Sequence, residues 1–408
     1  MRFSSSILLI ATLLLVACQP KSSTPVAQKE HAQDGSFAAT VSQSGKYAVV
    51  SSLYHGVALW DLEKNGLKYI WSQSPKGARV TFADGETTAS MSSNNLVFAT
   101  AISHNDSHAV LGDKESFSLW DIDSGANLGF WQVRQSKVRD IPKQQQGYWQ
   151  SRNKRGKSTN QYQDFELVDT NKCVEPDPAR GERCLIIGRL RAIDVSNNGK
   201  HILIGKSNGI VVHITVATGR RIEFLGHQSE LLDENGEPVQ INNAINSVAL
   251  SPNGRYALSG ASDQTAYLWD TKTGQVIHKF RHSARVVTVA LDPKARFAFT
   301  SDSGGQSLIW DLKTGRTVSK LKFINRQEIF TAARFSADGK WLLTGAPTRE
   351  LTLWSVETGK QLKQWAVTPR KDTRPASAVV YSAAFINDHS QIISESSSGL
   401  SEIWEINL

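Results

Sequence analysis

Residues 245–270, INSVALSPNGRYALSGASDQTAYLWD, decide the fold of this chain. Three short apolar runs are separated by SPNG and ASDQT, and the turn TKTG follows the third run. Gly, Pro, Asn and Asp stand where the chain must reverse, and the runs between them suit half-buried strands. The same pattern recurs at 286–311, VVTVALDPKARFAFTSDSGGQSLIWD, before LKTG. Because one sheet this small cannot bury its faces alone, the repeat predicts stacked sheets.

Aligning the third run of each unit finds seven units, six of which carry a tryptophan there. The exception, 190–220, has Ile214 and Thr215 where four of the others have Trp-Asp. The aligned tryptophans are Trp60, Trp120, Trp269, Trp310, Trp354 and Trp404. This pattern resembles the WD-repeat family, whose repeats of about 40–45 residues each form one four-stranded blade. The resemblance covers most of 24–408 and implies an all-β, seven-bladed WD40-type β-propeller.

Blades of that family also contain a buried network of His, Ser or Thr, Asp and Trp. One unit has the whole set, which is His227, Ser259, Asp263 and Trp269. The next unit has His282, Thr300 and Trp310, but Gly304 stands at the aspartate position. A His–Asp–Ser set could suggest catalysis, yet the resemblance implies a structural hydrogen-bond network, so we predict no catalytic residue.

The last unit lacks an outer strand, because only four residues follow Trp404. Residues 25–36, PVAQKEHAQDGS, resemble the outer-strand segment QVIHKFRHS, with His31 aligned on His282. We therefore predict that the amino-terminal segment closes the ring as the outer strand of the last blade, which removes an exposed sheet edge. The propeller domain would then span 25–408.

Residues 1–18, MRFSSSILLIATLLLVAC, contain one arginine and then an apolar run of eleven residues. A membrane-spanning helix needs about 20 such residues, so the run predicts a secretory signal. Its end, LVAC, resembles the lipobox of bacterial lipoproteins, in which the cysteine, here Cys18, is lipidated and begins the mature chain. The other interpretation is an ordinary signal that happens to end in cysteine.

Gln19 follows Cys18. Because the residue is not the aspartate that the lipoprotein family associates with inner-membrane retention, the resemblance implies an outer-membrane lipoprotein facing the periplasm of a Gram-negative bacterium. Residues 19–24 would be a short tether. The closing strand would start at the bottom face of the ring, opposite the top face where inner strands begin, so the bottom face would lie near the lipid.

Two further cysteines, Cys173 and Cys184, are close in sequence. In an oxidising compartment such a pair is expected to form a disulfide, worth roughly 3 kcal/mol by chain entropy. A metal site would need further ligands, and no histidine lies between Asn171 and Arg191. We predict neither a metal nor another cofactor.

Every long departure from the repeat falls between an outer strand and the next inner strand. These insertions are 75–94, 134–187, 228–243 and 366–379. All four are expected to emerge on the top face, whereas neutral drift would scatter insertions over both faces. Because loops on a rigid scaffold carry function, the clustering predicts a binding surface there.

The insertion at 134–187 is basic. Its first part, 134–157, holds eight Lys or Arg against Asp140 alone, whereas the whole chain has a net charge of +8. The candidate binding residues are Arg139, Lys143, Tyr148, Trp149, Arg152, Lys154, Arg155, Lys157 and Tyr162. Basic residues with aromatics suit nucleic acid, acidic polysaccharide or an acidic protein. A periplasmic location argues against nucleic acid, and a solvated loop is the plain alternative.

These features predict a monomeric, lipid-anchored, non-enzymatic scaffold that binds an envelope protein through its top-face loops. The alternative is a polysaccharide-binding protein that uses the basic insertion. A third class, propeller enzymes such as lactonases and quinoproteins, needs a metal cluster or quinone ligands in the channel, and the sequence contains no convergent carboxylate or histidine set.

Overall fold

The computed structural model describes residues 24–53, 56–74, 77–82, 97–114, 116–132, 138–140, 173–177, 181–185, 188–232, 236, 238–323, 328–370 and 377–408. These residues form β-strands, turns and one 3₁₀ turn, Asn197–Gly199, and no α-helix occurs among them. Within these ranges there is accordingly no helix of the length and apolarity that crossing a membrane requires.

The strands form seven antiparallel blades, numbered here in chain order, and three of the other strands form a small separate sheet while two form a hairpin. The amino-terminal strand and blade 1 are β1 (Ala27–Glu30), β2 (Ser36–Val41), β3 (Tyr47–Ser52), β4 (Gly56–Asp61), β5 (Gly66–Ser74) and β6 (Gly77–Phe82). Blade 2 and the separate sheet are β7 (Ala99–Ile102), β8 (His108–Gly112), β9 (Ser116–Asp121), β10 (Asn127–Gln132), β11 (Val138–Asp140), β12 (Cys173–Asp177) and β13 (Gly181–Leu185).

Blade 3 and the hairpin that follows it are β14 (Leu190–Val195), β15 (His201–Lys206), β16 (Val211–Thr215), β17 (Arg220–Phe224), β18 (Gln228–Leu232) and β19 (Pro238–Asn242). Blades 4 and 5 are β20 (Ile245–Leu250), β21 (Tyr256–Ala261), β22 (Thr265–Asp270), β23 (Val276–Arg281), β24 (Val286–Leu291), β25 (Phe297–Asp302), β26 (Ser307–Asp311) and β27 (Thr317–Lys320). Blades 6 and 7 are β28 (Ala332–Phe335), β29 (Trp341–Gly345), β30 (Glu350–Ser355), β31 (Gln361–Ala366), β32 (Val380–Ile386), β33 (Gln391–Ser396) and β34 (Leu400–Glu405).

The blades form a closed ring around a central channel. The first strand of each blade contacts the first strand of the next, and β32 of blade 7 contacts β2 of blade 1. The amino-terminal strand β1 pairs antiparallel with β34, so that Ala27 is opposite Ile403 and Glu30 is opposite Leu400. The predicted seven-bladed β-propeller, closed by its amino-terminal strand, is therefore confirmed.

A buried contact fixes this closure. His31, the residue after β1, places its Nδ1 2.8 Å from Oε1 of Glu395 on β33. Both side chains are almost fully buried, and the imidazole stacks on the indole of Trp60 with ring centroids 4.3 Å apart. The end of the ring is thus held by polar and aromatic contacts as well as by strand pairing.

The repeated tryptophan packs one blade against its neighbour. Trp269 of blade 4 contacts Phe224 on the outer strand of blade 3, with ring centroids 4.8 Å apart. Trp310 contacts Phe280 of blade 4 in the same way at 4.5 Å, and similar contacts join other blades. Because large aromatic side chains bury much area at such joints, the tryptophan recurs in six of the seven blades.

One insertion differs from its prediction. Residues 77–82, within the predicted top-face insertion 75–94, form a fifth strand on blade 1. This strand runs back along β5, pairing Gly77 with Ser74 and Phe82 with Tyr69. That part of the insertion therefore lies along the outer edge of blade 1 and not on the top face, because the free edge of β5 offers a ladder of unpaired backbone groups.

Candidate functional site: the top mouth of the channel

A β-bulge occurs at the start of the inner strand in five of the seven blades, and a similar backbone arrangement occurs there in the other two. In blade 4, Ile245 is opposite Ala261 and Ser247 is opposite Gly260, so Asn246 is the extra residue. Blades 1, 3, 5 and 7 show the same register shift. In blades 2 and 6 the extra residue donates its backbone N–H to the carbonyl opposite its successor. A bulge re-aims the side chain of its extra residue.

The seven bulge residues encircle the top mouth of the channel, since the inner strands begin there. They are Phe37, Phe98, Arg191, Asn246, Val287, Thr331 and Tyr381. Below them the channel encloses a cavity of about 250 Å³, which Thr331 and Tyr381 help to line.

Three polar bulge residues fasten neighbouring blades together. Asn246 donates its Nδ2–H to the carbonyl of Val286 in blade 5 at 2.9 Å. Thr331 donates its hydroxyl to the carbonyl of Val380 in blade 7 at 2.6 Å. Tyr381 donates its hydroxyl to the carbonyl of Ser36 in blade 1 at 3.3 Å. At these blades the bulge side chain is used by the fold.

Blades 1 and 2 instead carry phenylalanine at the bulge, and both rings face solvent. Phe37 is 38% exposed and Phe98 is 46% exposed, while Leu53, just after the residue that pairs with Ser36, is 49% exposed. The ammonium of Lys114 lies 5.3 Å from the centre of the Phe98 ring. We call Phe37, Leu53 and Phe98 the top apolar patch, because all three lie at the top ends of adjacent blades.

The channel below the mouth is polar. Arg334 donates to the carbonyl of Val41 at 2.7 Å, and burial lowers the pKa of its guanidinium to about 10. Burial raises the pKa of Asp194 to about 6, although the carboxylate accepts backbone N–H groups of Leu250 and Val195. Burial also lowers the pKa of His104 to about 4. At neutral pH the channel therefore contains an arginine cation, an aspartate anion and a neutral imidazole.

The predicted network of blade 4 comes together. His227 Nε2 is 2.7 Å from Ser259 Oγ, its Nδ1 is 3.1 Å from both oxygens of Asp263, and Trp269 Nε1 donates to Ser259 Oγ at 2.9 Å. Because Ser259 accepts the indole N–H, its own hydroxyl donates to Nε2, and Nδ1–H donates to Asp263. His227 is completely buried, so this set is placed for structure and not for access by a substrate.

Blade 5 has a carboxylate that the sequence comparison missed. Gly304 does stand at the usual aspartate position, but Asp302, two residues earlier, places Oδ2 3.4 Å from His282 Nδ1. Thr300 Oγ1 lies 2.8 Å from both His282 Nε2 and Trp310 Nε1. His282 Nδ1 has no hydrogen-bond partner among the described residues, so blade 5 contains the His–Thr–Trp part of the set with the Asp302 carboxylate at ion-pair distance, supplied from the end of β25 and not from the turn after it.

Comparison with known proteins agrees with this geometry. The family model "WD domain, G-beta repeat" matches residues 236–270. A crystal structure of the Cps50 (Swd1) β-propeller domain of Myceliophteria thermophila superposes with a TM-score of 0.59 at 11% identity, covering 93% of this chain and 99% of that one. The fold is a WD40-type β-propeller.

One relative with a curated description is also similar. A "U3 snoRNP-associated protein-like YAOH" from Oryza sativa subsp. japonica is 34% identical over 248 residues, which is 59% of this chain and 46% of the relative. The chain thus spans about half the length of that protein.

The other predicted residues are distributed unevenly over the WD40 propeller. Cys173 and Cys184 are directly opposite each other on β12 and β13. Arg139 lies on β11, opposite Cys184. The remaining candidates in the basic insertion, Lys143, Tyr148, Trp149, Arg152, Lys154, Arg155, Lys157 and Tyr162, lie outside the described residues, as does Cys18. In the described part of the chain, no three His, Cys, Asp or Glu side chains gather as metal ligands would.

Proposed function

We propose that this propeller is a non-enzymatic scaffold of the bacterial envelope that binds a protein partner through the top apolar patch. The observation that carries the proposal is the exposure of Phe37 and Phe98 at positions where the polar bulge residues of other blades fasten the ring. Exposed aromatic rings on a rigid frame are typical of the energetic centre of an interface.

The patch has the chemistry of a protein-binding site. Covering a half-exposed phenylalanine contributes roughly 1–2 kcal/mol, so Phe37, Leu53 and Phe98 together supply a few kcal/mol. Lys114 and Arg189, both exposed beside the patch, provide a basic rim. A partner with an apolar segment flanked by acidic residues fits this surface.

Lipid anchoring at the outer membrane is the second part of the proposal. It rests on the LVAC sequence ending at Cys18, followed by Gln19. The strand β1 begins at the bottom face, since Ala27 is opposite Ile403 near the end of β34. A tether of the nine residues from Cys18 to Ala27 spans at most about 30 Å, so lipidation would keep the bottom face near the membrane and turn the top apolar patch away from it.

The scaffold role is favoured over an enzymatic one by the channel itself. Its ionised residues are committed to hydrogen bonds with backbone groups, Arg334 of blade 6 with the carbonyl of Val41 in blade 1 and Asp194 of blade 3 with the N–H of Leu250 in blade 4. The plant relative is named for association with a ribonucleoprotein assembly, and from that name we take only a role in an assembly of several components.

Site-specific photo-crosslinking in intact cells tests the partner. A photoreactive amino acid at Phe98 should give one discrete protein adduct, whereas the same residue at Asn253, exposed in a bottom turn, should give none. Equal adducts from both positions would contradict binding through the top apolar patch. Metabolic labelling with a radioactive fatty acid tests the anchor, and the label should be lost in Cys18→Ser.

A second candidate function is binding of acidic envelope polysaccharide through the insertion 134–187. The observation in its favour is compositional, since eight basic residues at 134–157 lie on both sides of Tyr148 and Trp149 in the sequence. Binding of this kind would weaken steeply with added salt, because it is mostly charge attraction. A retardation gel with an acidic glycan, run with and without salt, distinguishes it from binding through Phe98.

A further inference from the structure

The bottom face of the ring is divided by charge. Bottom turns join the first strand of a blade to its second, and the third strand to its fourth. In blades 3 to 6 these turns hold ten Lys or Arg against five Asp or Glu, whereas in blades 7, 1 and 2 they hold two against six. The turns of blades 3 to 6 are 196–200, 215–220, 251–255, 270–275, 292–296, 311–316, 336–340 and 355–360, and the others are 42–46, 61–65, 103–107, 121–126 and 387–390.

Most carboxylates of the positive half are engaged within their own blade. Asp270 accepts two hydrogen bonds from the guanidinium of Arg255, at 2.7 and 3.0 Å. Asp292 accepts from Arg296 at 2.8 Å, and Asp311 closes its turn by accepting the backbone N–H of Thr314 at 2.7 Å. Lys340 lies 3.8 Å from the carboxylate of Asp338 in its own turn. The remaining seven cations of this half are exposed, and we call them the basic sector: Lys200, Arg220, Lys272, Lys294, Lys313, Arg316 and Lys360.

Part of the basic sector surrounds a cleft. The first bottom turns of blades 3, 4 and 5 enclose about 410 Å³ of space, with Lys200 and Lys294 among the residues that line it. Asn197 and Asn253 also line the cleft. Ammonium and amide N–H groups are the donors that a phosphate group needs.

The structure assigns the basic sector to an anionic phospholipid surface. The inference rests on the proposed lipid anchor, because β1 starts at this same face and would hold it near the membrane. The anchor would attach at blade 7, whereas the basic sector extends from blade 3, across the ring from blade 7, round to blade 6. Attachment at two separate points would hold the bottom face parallel to the membrane. An acyl group together with a polybasic patch is a known combination of membrane-binding signals.

A membrane fits the sector better than a nucleic acid does. The bottom turns of blades 3 to 6 contain no Phe, Tyr or Trp, so they offer no platform on which bases could stack. Their cations are spread over four blades of one face and do not follow a single groove. Each such cation near an anionic bilayer raises the partition coefficient about fivefold, within a Debye length of the surface.

Vesicle sedimentation tests this inference without the anchor. A chain beginning at Gln19, which retains β1 and every later strand, is mixed with vesicles of phosphatidylcholine alone or with phosphatidylglycerol added. The test variant carries Lys272→Gln, Lys313→Gln and Lys360→Gln. The control variant loses the same charge through Lys46→Gln, Lys64→Gln and Lys114→Gln, which lie outside the basic sector. Thermal unfolding of each variant checks that the ring is intact.

We expect binding to the phosphatidylglycerol vesicles only, with a partition coefficient reduced on the order of 100-fold in the test variant and less than fivefold in the control. Equal losses in both variants would overturn the assignment, because net charge alone would then explain the binding. Absence of vesicle binding, with or without binding of RNA, would overturn it as well. Since this chain lacks Cys18, none of these results depends on lipidation, which the labelling experiment decides separately.

Discussion

We expect the hydroxyl of Ser259 to contribute several kcal/mol to the free energy of unfolding of the propeller, although it is a single group in one blade. Removing it by Ser259→Ala leaves the buried Trp269 N–H without an acceptor and His227 Nε2 without a donor. Each orphaned buried group costs about 1–3 kcal/mol, so we expect a loss of about 2–5 kcal/mol in the free energy of unfolding.

A control residue occupies the same strand position in blade 7. Ser394 is the fourth residue of β33, as Ser259 is of β21, and it is equally buried. Its Oγ has no hydrogen-bond partner among the described residues, and neither has the Nε1 of Trp404. Ser394→Ala therefore removes a hydroxyl of the same size without orphaning a partner, and its effect should stay within about 0.5 kcal/mol or be stabilising.

Thermal unfolding followed by circular dichroism measures both variants. With about 2.1 cal/mol/K of unfolding entropy per residue, a ring of roughly 385 residues has an entropy near 0.8 kcal/mol/K. The expected loss for Ser259→Ala then lowers Tm by about 3–6 °C, whereas Ser394→Ala leaves Tm within about 1 °C. Equal shifts in the two variants would refute the reasoning, because lost side-chain volume and not lost hydrogen bonding would then explain both.

Three further predictions concern other buried or constrained positions. Glu395→Leu should destabilise the closure by about 1–3 kcal/mol because it leaves the buried Nδ1 of His31 without its partner. Faster hydrogen exchange confined to β1 and β34 would show it, and a uniform increase over all blades would contradict it. Burial lowers the pKa of His213 to about 4, so protonation favours the unfolded chain, whose histidine has a pKa near 6.5, and stability should fall by up to about 2 kcal/mol between pH 6.5 and pH 5. In His213→Phe, the free energy of unfolding measured by urea denaturation should change less between pH 6.5 and pH 5 than it does in the wild type. An equal change in both proteins would contradict the assignment to His213. A Cβ at Gly399, where φ is +80°, would lie 2.0 Å from a backbone carbonyl oxygen, whereas one at Gly219, where φ is +65°, meets nothing within 4 Å. Gly399→Ala should thus lower Tm clearly more than Gly219→Ala, which carries only the cost of about 1 kcal/mol for left-handed backbone.

The ring itself could be predicted from sequence because its repeat follows a single packing contact. Trp269 and Trp310 each contact an aromatic ring on the outer strand of the preceding blade, so the tryptophan register reports the spacing of blades. The aspartate of the buried network was less predictable. In blade 5 the carboxylate moved from the turn to Asp302 at the end of β25, and alignment on Gly304 could not show that a different backbone position reaches His282.

The candidate site lay beyond sequence reasoning for a different reason. A bulge is a property of strand register, and Phe37 and Phe98 are seen as extra residues only when their strands are paired with β3 and β8. The net charge of the chain does not reveal the basic sector. Outside 134–157 the chain is close to neutral, but that sum combines a positive half of the bottom face with a negative half.

The exposure of Phe37 and Phe98 requires that blades 1 and 2 be joined by something other than a polar bulge residue. Thr40, further along the same inner strand as Phe37, donates its hydroxyl to the carbonyl of Thr100 in blade 2 at 2.7 Å. Blade 2 is in turn joined to blade 3 through the backbone, where Leu190 N–H donates to the carbonyl of Lys114 at 3.1 Å. Because these contacts supply the inter-blade bonds that Asn246 and Thr331 supply elsewhere, the fold does not need the two phenylalanine side chains for that purpose. Their exposed rings are therefore left for an interaction outside the chain, which is why we place the partner there.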